Sequence, residues 1–335
     1  MAITDACPKM AVTHVADILD ISLQGVHKQL KSMNLKPFKI GNKSYITHDM
    51  GKELFRLKFE KQKIAFQIVK GGTGKTTALH NISCAASLYG AKVLAIDLDP
   101  QGNLTDAFNV DADSFPVLID IFEDESLIQD AIINVSEGID IIPSRIENVV
   151  LDNKLALSKS PLHNLFSDIL YSVEDNYDFI FIDCPPTMGH SVSAASLYAD
   201  TLLVPLNPDR FSAKGLKILK TEIANLEKMY KRKINHKVFL NKYSSNTILS
   251  DKAIQTTISA ETATNNALNT AIRQSQEIPN AIDQNFNIFS SLKQSIVRED
   301  FDLLTRELLN ITIPKGKRSI QGGENIAQEQ NHAIN

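Results

Sequence analysis

The sequence contains no tryptophan, only three cysteines, and no apolar run close to the roughly 20 residues that a membrane-spanning helix needs. Cys7, Cys84 and Cys184 have neither the spacing of a metal site nor that of a disulfide framework, and such thiols are typical of a reducing compartment. The N-terminus lacks a signal-peptide pattern. We therefore expect a cytoplasmic protein. Its 335 residues, 43% hydrophobic and 22% charged, suit about two globular domains.

The most informative stretch is VKGGTGKTT, residues 69–77. A phosphate loop ends in Gly-Lys-Ser/Thr, and Gly74, Lys75 and Thr76 meet that pattern. The glycines let consecutive N–H groups surround phosphate oxygens, the lysine supplies charge to the β- and γ-phosphates, and the threonine hydroxyl can ligate Mg²⁺. We therefore predict a nucleoside triphosphate site with these contacts: Gly71, Gly72, Thr73, Gly74, Lys75, Thr76 and Thr77.

The loop departs from the ordinary pattern at its first position, where Val69 replaces glycine and Lys70 follows. A buried strand at 64–69 and a helix at 75–89 are predicted to flank it. The order K-G-G-x-G-K-T-T resembles the deviant Walker A motif of the ParA/MinD superfamily. In that superfamily the first lysine reaches across a nucleotide-bridged dimer to the partner's phosphates. The resemblance implies a homodimer, ATP and Mg²⁺ as cofactors, and catalytic roles for Lys70 and Lys75.

Acidic residues end two further predicted strands. A buried strand at 93–98 ends in the stretch that contains Asp97 and Asp99, and another at 178–186 ends at Asp183. Ligands of open α/β sheets bind at the carboxyl ends of strands, so these carboxylates should meet the phosphate loop in one crevice. The stretches IDLDPQGN and IDCPP are similar to the switch I and Walker B motifs of ParA-type partition ATPases. That similarity implies that Asp99 positions the attacking water and that Thr76, Asp97 and Asp183 form the metal shell.

A weaker signal concerns the nucleotide base. Asn207 and Pro208 follow a predicted strand at 201–206 and precede a predicted helix at 213–230. They resemble the family segment that packs on adenine, and a plain turn is the alternative. The stretch NKYS at 241–244 lacks the aspartate of a guanine-reading turn, which favours ATP.

The N-terminal segment is the basic part of a chain whose net charge is −4. Residues 1–63 contain eleven lysines and arginines against six acidic residues. Residues 12–19 and 23–31 predict two short helices around a tight turn, and residues 38–47 predict a hairpin around Gly41-Asn42. This order is typical of a winged helix-turn-helix. The predicted DNA contacts are Gln24, His27, Lys28, Lys31, Lys39 and Lys43. A helical dimerisation or adaptor module is the alternative.

The sequence of the C-terminal third gives fewer signals of structure and function. We expect helices at about 249–259 and 291–310, and Arg273 resembles a residue of the family's nonspecific DNA surface. Lys293 and Arg298 are further candidates, but the basic content of this region is thin. Residues 313–335 are polar and predict a disordered tail without the apolar face of a membrane-binding helix.

We therefore predict an α/β fold. Its doubly wound, mostly parallel sheet would carry the deviant phosphate loop at 64–312. A small winged helix-turn-helix domain at 1–50 and a helical linker at 51–63 would precede it. The resemblance implies a nucleoid-associated partition ATPase that binds DNA in a nucleotide-dependent way and is stimulated by a ParB-like centromere-binding protein. A nucleotide-sensing transcriptional autorepressor is one rival. A metal-centre assembly ATPase is another, and it would need cysteines disposed to share a cluster across a dimer.

Overall fold

The computed structural model describes residues 6–158, 161–244 and 252–313. Its N-terminal unit consists of a three-stranded antiparallel sheet and three helices. Strand β3 lies between β1 and β2. Ser22 caps the second helix by accepting a hydrogen bond from Gly25 N. The elements are β1 (Met10–Ala11), α1 (Val12–Leu19), α2 (Leu23–Ser32), β2 (Phe38–Ile40), β3 (Lys43–Ile46) and α3 (His48–Phe55).

The helical linker predicted over 51–63 is wrong in its extent. Helix α3 ends at Phe55, and Arg56 adopts a left-handed conformation with φ 46° that terminates it. Residues 56–61 are irregular, and the next strand already begins at Gln62. Phe59 of this stretch instead packs against the main sheet. Its ring meets the Phe179 ring edge to face, with ring centroids 5.4 Å apart.

A seven-stranded sheet forms the body of the protein, in the order β10-β9-β4-β8-β5-β7-β6. All neighbouring pairs are parallel except β6 and β7, so the prediction of a mostly parallel α/β sheet is confirmed. The strands are β4 (Gln62–Phe66), β5 (Val93–Asp97), β6 (Ile133–Ser136), β7 (Ile139–Ile142), β8 (Phe179–Asp183), β9 (Thr201–Leu206) and β10 (His236–Leu240).

Helices cover the sheet. Eleven α-helices follow β4 in the described part of the chain: α4 (Lys75–Leu88), α5 (Asn103–Ala107), α6 (Leu118–Glu123), α7 (Ile128–Ala131), α8 (Leu151–Leu157), α9 (Leu165–Leu170), α10 (His190–Tyr198), α11 (Arg210–Tyr230), α12 (Lys252–Ala263), α13 (Glu277–Asp283) and α14 (Ile296–Leu308). None of the described helices is both long and apolar enough to cross a bilayer. The predicted tail lies outside the described residues, apart from Ile313.

The sheet separates two hydrophobic cores, because neighbouring residues of a buried strand face opposite sides. Along β4, Ile64 and Phe66 join one core, and Ala65 joins the other. The first core also contains the buried side chains of the N-terminal unit, such as Val26 and Leu30, together with α4 and α14. The N-terminal unit is therefore packed onto one face of the body and shares its core.

Two predicted helices have shifted bounds. Helix α11 begins at Arg210, three residues before the predicted start, because the Asp209 side chain accepts a hydrogen bond from Ser212 N and caps it. Helix α14 begins at Ile296 and not at 291, because the Ser295 side chain caps it by accepting from Arg298 N.

Candidate functional site

The phosphate loop and the two predicted metal-shell aspartates meet at one edge of the sheet. The loop leaves β4 after Phe66 and enters α4 at Lys75. In the register of the sheet, Asp183 of β8 lies beside Phe66 on one side and beside Asp97 of β5 on the other. Three adjacent parallel strands thus deliver these groups to one crevice, as expected for an open α/β sheet.

Gly74 shapes the end of the loop. Its φ is +91°, a conformation that side chains other than glycine rarely adopt, and a Cβ here would lie 2.4 Å from Asn241 Nδ2. That amide donates a 2.7 Å hydrogen bond to the Thr73 carbonyl oxygen. This hydrogen bond provides a partner for the buried Thr73 carbonyl oxygen next to Gly74.

Lys75 and Thr76 begin α4 beside Asp183. Lys75 is 7% exposed, and burial lowers the pKa of its ammonium group even though the nearby Asp183 acts in the opposite direction. Thr76 Oγ1 donates a 2.5 Å hydrogen bond to Asp183 Oδ2. Because Lys75 lines the cavity at the start of α4, its ammonium group is positioned to neutralise phosphate oxygens.

The Asp183 carboxylate is incompletely hydrogen-bonded among the described residues. Its Oδ1 is buried and has no hydrogen-bond partner among the described residues. Burial raises the pKa of Asp183, and repulsion from Asp97 raises it further. An orphaned carboxylate oxygen next to a threonine hydroxyl fits Mg²⁺, which is usually held by one or two carboxylates together with phosphates and water. No group of three or more His, Cys, Asp or Glu side chains among the described residues is arranged to hold a metal ion by itself, so phosphate and water would complete the shell.

Asp97 is held in place by its neighbours. Its Oδ2 accepts hydrogen bonds from the Thr105 backbone N at 2.9 Å and from Thr105 Oγ1 at 2.7 Å. Burial raises the pKa of Asp97 despite these bonds. A bound Mg²⁺ would remove the repulsion between the two carboxylates and would neutralise charge on the transferred phosphoryl group. Thr76 and Asp183 would hold it, with Asp97 in the outer shell.

Asp99 lines the same cavity and is partly exposed. Its backbone N donates to Asp97 Oδ1 at 3.1 Å, and its own Oδ1 accepts from Gln101 N at 3.0 Å. The remaining oxygen is available for a water molecule, which is the chemistry that orientation of a nucleophile requires.

The cavity has a volume of about 980 Å³, large enough for a nucleotide. The predicted contacts Gly71, Gly72, Gly74, Lys75, Thr76 and Thr77 line it. Thr73, within the loop, is fully buried and does not line the cavity. Asn207 and Pro208 do not line the cavity either. Asn207 Nδ2 instead donates to the Gly72 carbonyl oxygen at 3.4 Å. A contact of Asn207 and Pro208 with adenine stays a prediction.

The two lysines of the loop lie in different places. Lys75 lines the cavity, whereas Lys70 does not. Lys70 Nζ lies 2.6 Å from Asp209 Oδ2 and 3.2 Å from Ser212 Oγ, at the start of α11. The side chain of Lys70 is 23% exposed. Asp209 and Ser212 therefore hold the Lys70 ammonium group outside the lining of the cavity formed by its own chain.

The predicted DNA residues separate into two groups. Gln24, His27, Lys28 and Lys31 of α2 and Lys39 and Lys43 of the hairpin are all exposed. Arg273 is ion-paired with Asp300, and Lys293 is 75% exposed. Arg298 is wrong as a DNA contact, because it is buried and donates hydrogen bonds to the carbonyl oxygens of Lys9, Ile288 and Ser291.

The two cysteines nearest the phosphate loop and the Asp183 strand do not support a shared metal cluster. Cys84 and Cys184 are buried, and burial raises the pKa of both thiols. A cluster bridging two subunits needs thiolates at a surface.

Comparisons with known proteins decide the family. A family model described as an AAA domain matches residues 61–236, more than half of the chain. A ParA family protein of Chlamydia muridarum is 32% identical over 252 residues, which are 73% of this chain and 96% of that protein. The chain belongs to the ParA family.

Solved structures agree with this family at the level of the fold. The ATP complex of a Cyanothece McdA variant has a TM-score of 0.66 at 22% identity, and the match covers 76% of this chain and 98% of that one. A Borrelia burgdorferi protein described as a putative plasmid partition protein bound to AMPPNP has a TM-score of 0.59 at 18% identity, over 75% of this chain and 100% of that one. At such identities these two structures show the shared ParA fold alone.

Sequence analysis of this ParA family chain missed several cavity residues. Lys242 lines the cavity and its Nζ donates to the Gly72 carbonyl oxygen at 3.0 Å. Asp152, Met188, Ile282 and Phe286 line it from distant parts of the chain. Of the residues in and beside the cavity, only Asn241 and Lys242 had a signal in the sequence that could have identified them. They directly follow β10, whose carboxyl end lies on the same edge of the sheet.

Proposed function

We propose that this protein is a DNA partition ATPase that hydrolyses ATP to ADP and phosphate. The observation that carries the proposal is the separation of the two lysines in one loop. Lys75 faces the cavity, while Lys70 lies outside it beside Asp209. A second cation kept away from its own nucleotide suits contact with the nucleotide of a partner subunit.

In this proposal ATP and Mg²⁺ bridge two copies of the chain. Lys75 and the loop N–H groups bind the phosphates, Thr76 and Asp183 hold the metal, Asp99 orients the attacking water, and Lys70 contacts the phosphates of the other subunit. The dimer binds DNA, and hydrolysis releases it. Hydrolysis is slow until a ParB-like protein bound at a centromere-like site stimulates it, and the cargo is a plasmid or chromosome in the cytoplasm.

We further infer that the N-terminal unit is a winged helix-turn-helix. Two short helices joined by a tight turn and followed by a hairpin have the required order. The α2 side chains Gln24, His27, Lys28 and Lys31 are exposed, so α2 is free to enter a major groove. The hairpin residues Lys39 and Lys43 would contact the neighbouring backbone.

DNA binding by the full chain tests the proposal. A random duplex and the DNA upstream of the gene would be titrated without nucleotide and with ADP, ATP or a slowly hydrolysed ATP analogue. We expect random-DNA binding only with ATP or the analogue. Binding that is indifferent to nucleotide would contradict the partition switch.

A transcriptional autorepressor that uses ATP as a ligand is the second candidate. The N-terminal unit shares one hydrophobic core with α4, the helix that begins at Lys75. This arrangement favours the autorepressor, because a shift of α4 on nucleotide binding would also move α2. Tight binding to upstream DNA alone, with no hydrolysis stimulated by a centromere-binding protein, would identify this function.

A further inference from the structure

Helix α11 carries a row of basic residues along its exposed side. At 3.6 residues per turn, positions 210, 214, 217 and 228 fall on one face of the helix. Arg210, Lys214, Lys217 and Lys228 are all exposed, and we call them the basic face. The opposite side of the helix is buried in the core through Leu216, Leu219, Ile223 and Leu226.

The charge of this region is opposite to that of the whole chain. Residues 210–237 contain nine lysines and arginines and only two acidic residues, Glu222 and Glu227, in a chain of net charge −4. Both glutamates fall off the basic face on the helical repeat. Glu227 is also engaged, since its Oε1 accepts a hydrogen bond from Ile234 N.

The basic face has no acidic partners among the described residues. Of the cations on α11, only Lys220, which lies beside this face, forms an ion pair there, with Glu261. Arg210 lies over the Phe211 ring at 5.0 Å. The candidates expected from the sequence are different: Arg273 is paired with Asp300 and Arg298 is buried.

Helix stability does not account for the first three of these residues, although Lys228 lies in the last turn, where a cation is favourable. Arg210 occupies the first helical position, where a cation opposes the helix dipole. Arg210 and Lys214 are four residues apart and Lys214 and Lys217 are three apart, so like charges repel on adjacent turns. A bound polyanion would remove both penalties.

We propose that the basic face binds the phosphate backbone of duplex DNA without regard to sequence. The proposal rests on the proposed function and locates its sequence-independent DNA contact on the ATPase body, apart from α2 and the hairpin. From position 210 to position 228 the helix extends about 27 Å at ~1.5 Å per residue. That length matches about eight base pairs at ~3.4 Å each. Lysines and arginines without partners are the groups that exchange counterions with phosphates.

The start of the basic face is linked to the phosphate loop through Asp209. Asp209, which caps α11, is the residue that holds Lys70. A change at Lys70 on nucleotide binding would therefore act on the first turn of the helix that carries the DNA contacts.

The test compares two double variants of the full chain. K214Q/K217Q neutralises the middle of the basic face, and K58Q/K92Q removes the same charge from exposed lysines elsewhere. Binding to a random duplex is measured with the ATP analogue at several salt concentrations, together with thermal unfolding, basal ATPase activity and binding to upstream DNA. We expect K214Q/K217Q to reduce the slope of log K against log salt by about 2, since each lost phosphate contact removes about 0.9. We expect K58Q/K92Q to match the wild type.

The other outcomes are distinct. An unchanged slope in K214Q/K217Q would overturn the basic face while leaving partition activity intact. Loss of stimulation by the centromere-binding protein with unchanged DNA binding would also overturn it, and would identify α11 as a protein-docking face. If the wild type itself bound no random duplex in any nucleotide state, the proposed function would fail before the variants were compared.

Discussion

Lys70 and Asp209 form an ion pair that joins the phosphate loop to the start of α11, with Lys70 Nζ 2.6 Å from Asp209 Oδ2. The Lys70 ammonium group also lowers the pKa of Asp209 against the opposing effect of burial. The same carboxylate caps α11 through a 2.8 Å hydrogen bond from Ser212 N to Oδ1. One side chain thus positions both the helix and the lysine that we propose to act across the dimer.

Removal of the Asp209 charge should favour dimerisation. Asparagine is as good a helix cap as aspartate, so D209N keeps the cap and loses the ion pair. Because both side chains are partly exposed, each pair is worth at most about 1 kcal/mol, and the two pairs of a symmetric dimer together allow at most about a 30-fold change in the dimerisation constant. Sedimentation with the ATP analogue would measure it. K70A should abolish dimerisation, and an unchanged constant in D209N would show that the pair does not restrain Lys70.

Neutralisation of Asp183 should stabilise the nucleotide-free protein as the pH rises. The folded-state pKa of Asp183 is raised above its ordinary value of about 3.9, so the folded state holds its proton more tightly than the unfolded state. Its contribution therefore becomes unfavourable as the pH increases above that value. Each tenfold difference in proton affinity is worth about 1.4 kcal/mol.

The D183N variant should consequently melt at a higher temperature than the wild type at pH 8, by about 2 °C or more for each 1.4 kcal/mol. The difference should shrink towards pH 4. The same variant should lose ATP hydrolysis, because the proposed metal ligand is gone. Thermal unfolding across pH without nucleotide would measure the first effect, and a lower melting temperature at pH 8 would contradict it.

Alanine at position 74 should prevent the phosphate loop from adopting its observed conformation. The φ of +91° and the 2.4 Å approach of Asn241 Nδ2 both oppose a Cβ, and the conformational strain alone is about 1–2 kcal/mol. We expect G74A to lose nucleotide binding in a fluorescence titration. G71A is the matched control for folding, since no atom lies within 4 Å of a Cβ built there. Equal thermal stability of the two variants would argue against the strain.

Loss of Arg298 should loosen the N-terminal unit. Its guanidinium group donates to three carbonyl oxygens, including that of Lys9, and hydrogen bonds from a charged donor are worth about 1.5–3 kcal/mol each. We expect R298M to unfold at a lower temperature and to expose residues 56–61 to protease. K293Q removes a cation whose side chain is 75% exposed and should do neither. A DNA-binding defect in R298M without destabilisation would restore Arg298 as a DNA contact.

Much of the site could be predicted because its signals are local. The phosphate loop lies between one strand and one helix, and Asp97 and Asp183 each end an apolar run. A buried parallel strand has a continuous apolar sequence, so its carboxyl end is recognisable without knowledge of its neighbours. The order of motifs therefore already indicated the ParA family and its mostly parallel sheet.

Other features depended on distance in space and had no local signal. The pairing of Lys70 with Asp209, the burial of Arg298 and the approach of Asn241 to Gly74 each join residues more than 100 positions apart, or join elements that meet only after the sheet is assembled. The exposed basic face of α11 was equally hidden, because composition counts charges but does not show which have partners. The sequence by itself determined which chemical groups the site contains, since motif spacing is local. Only the tertiary structure decided which cations are already neutralised, because ion pairing depends on contacts that the folded chain creates.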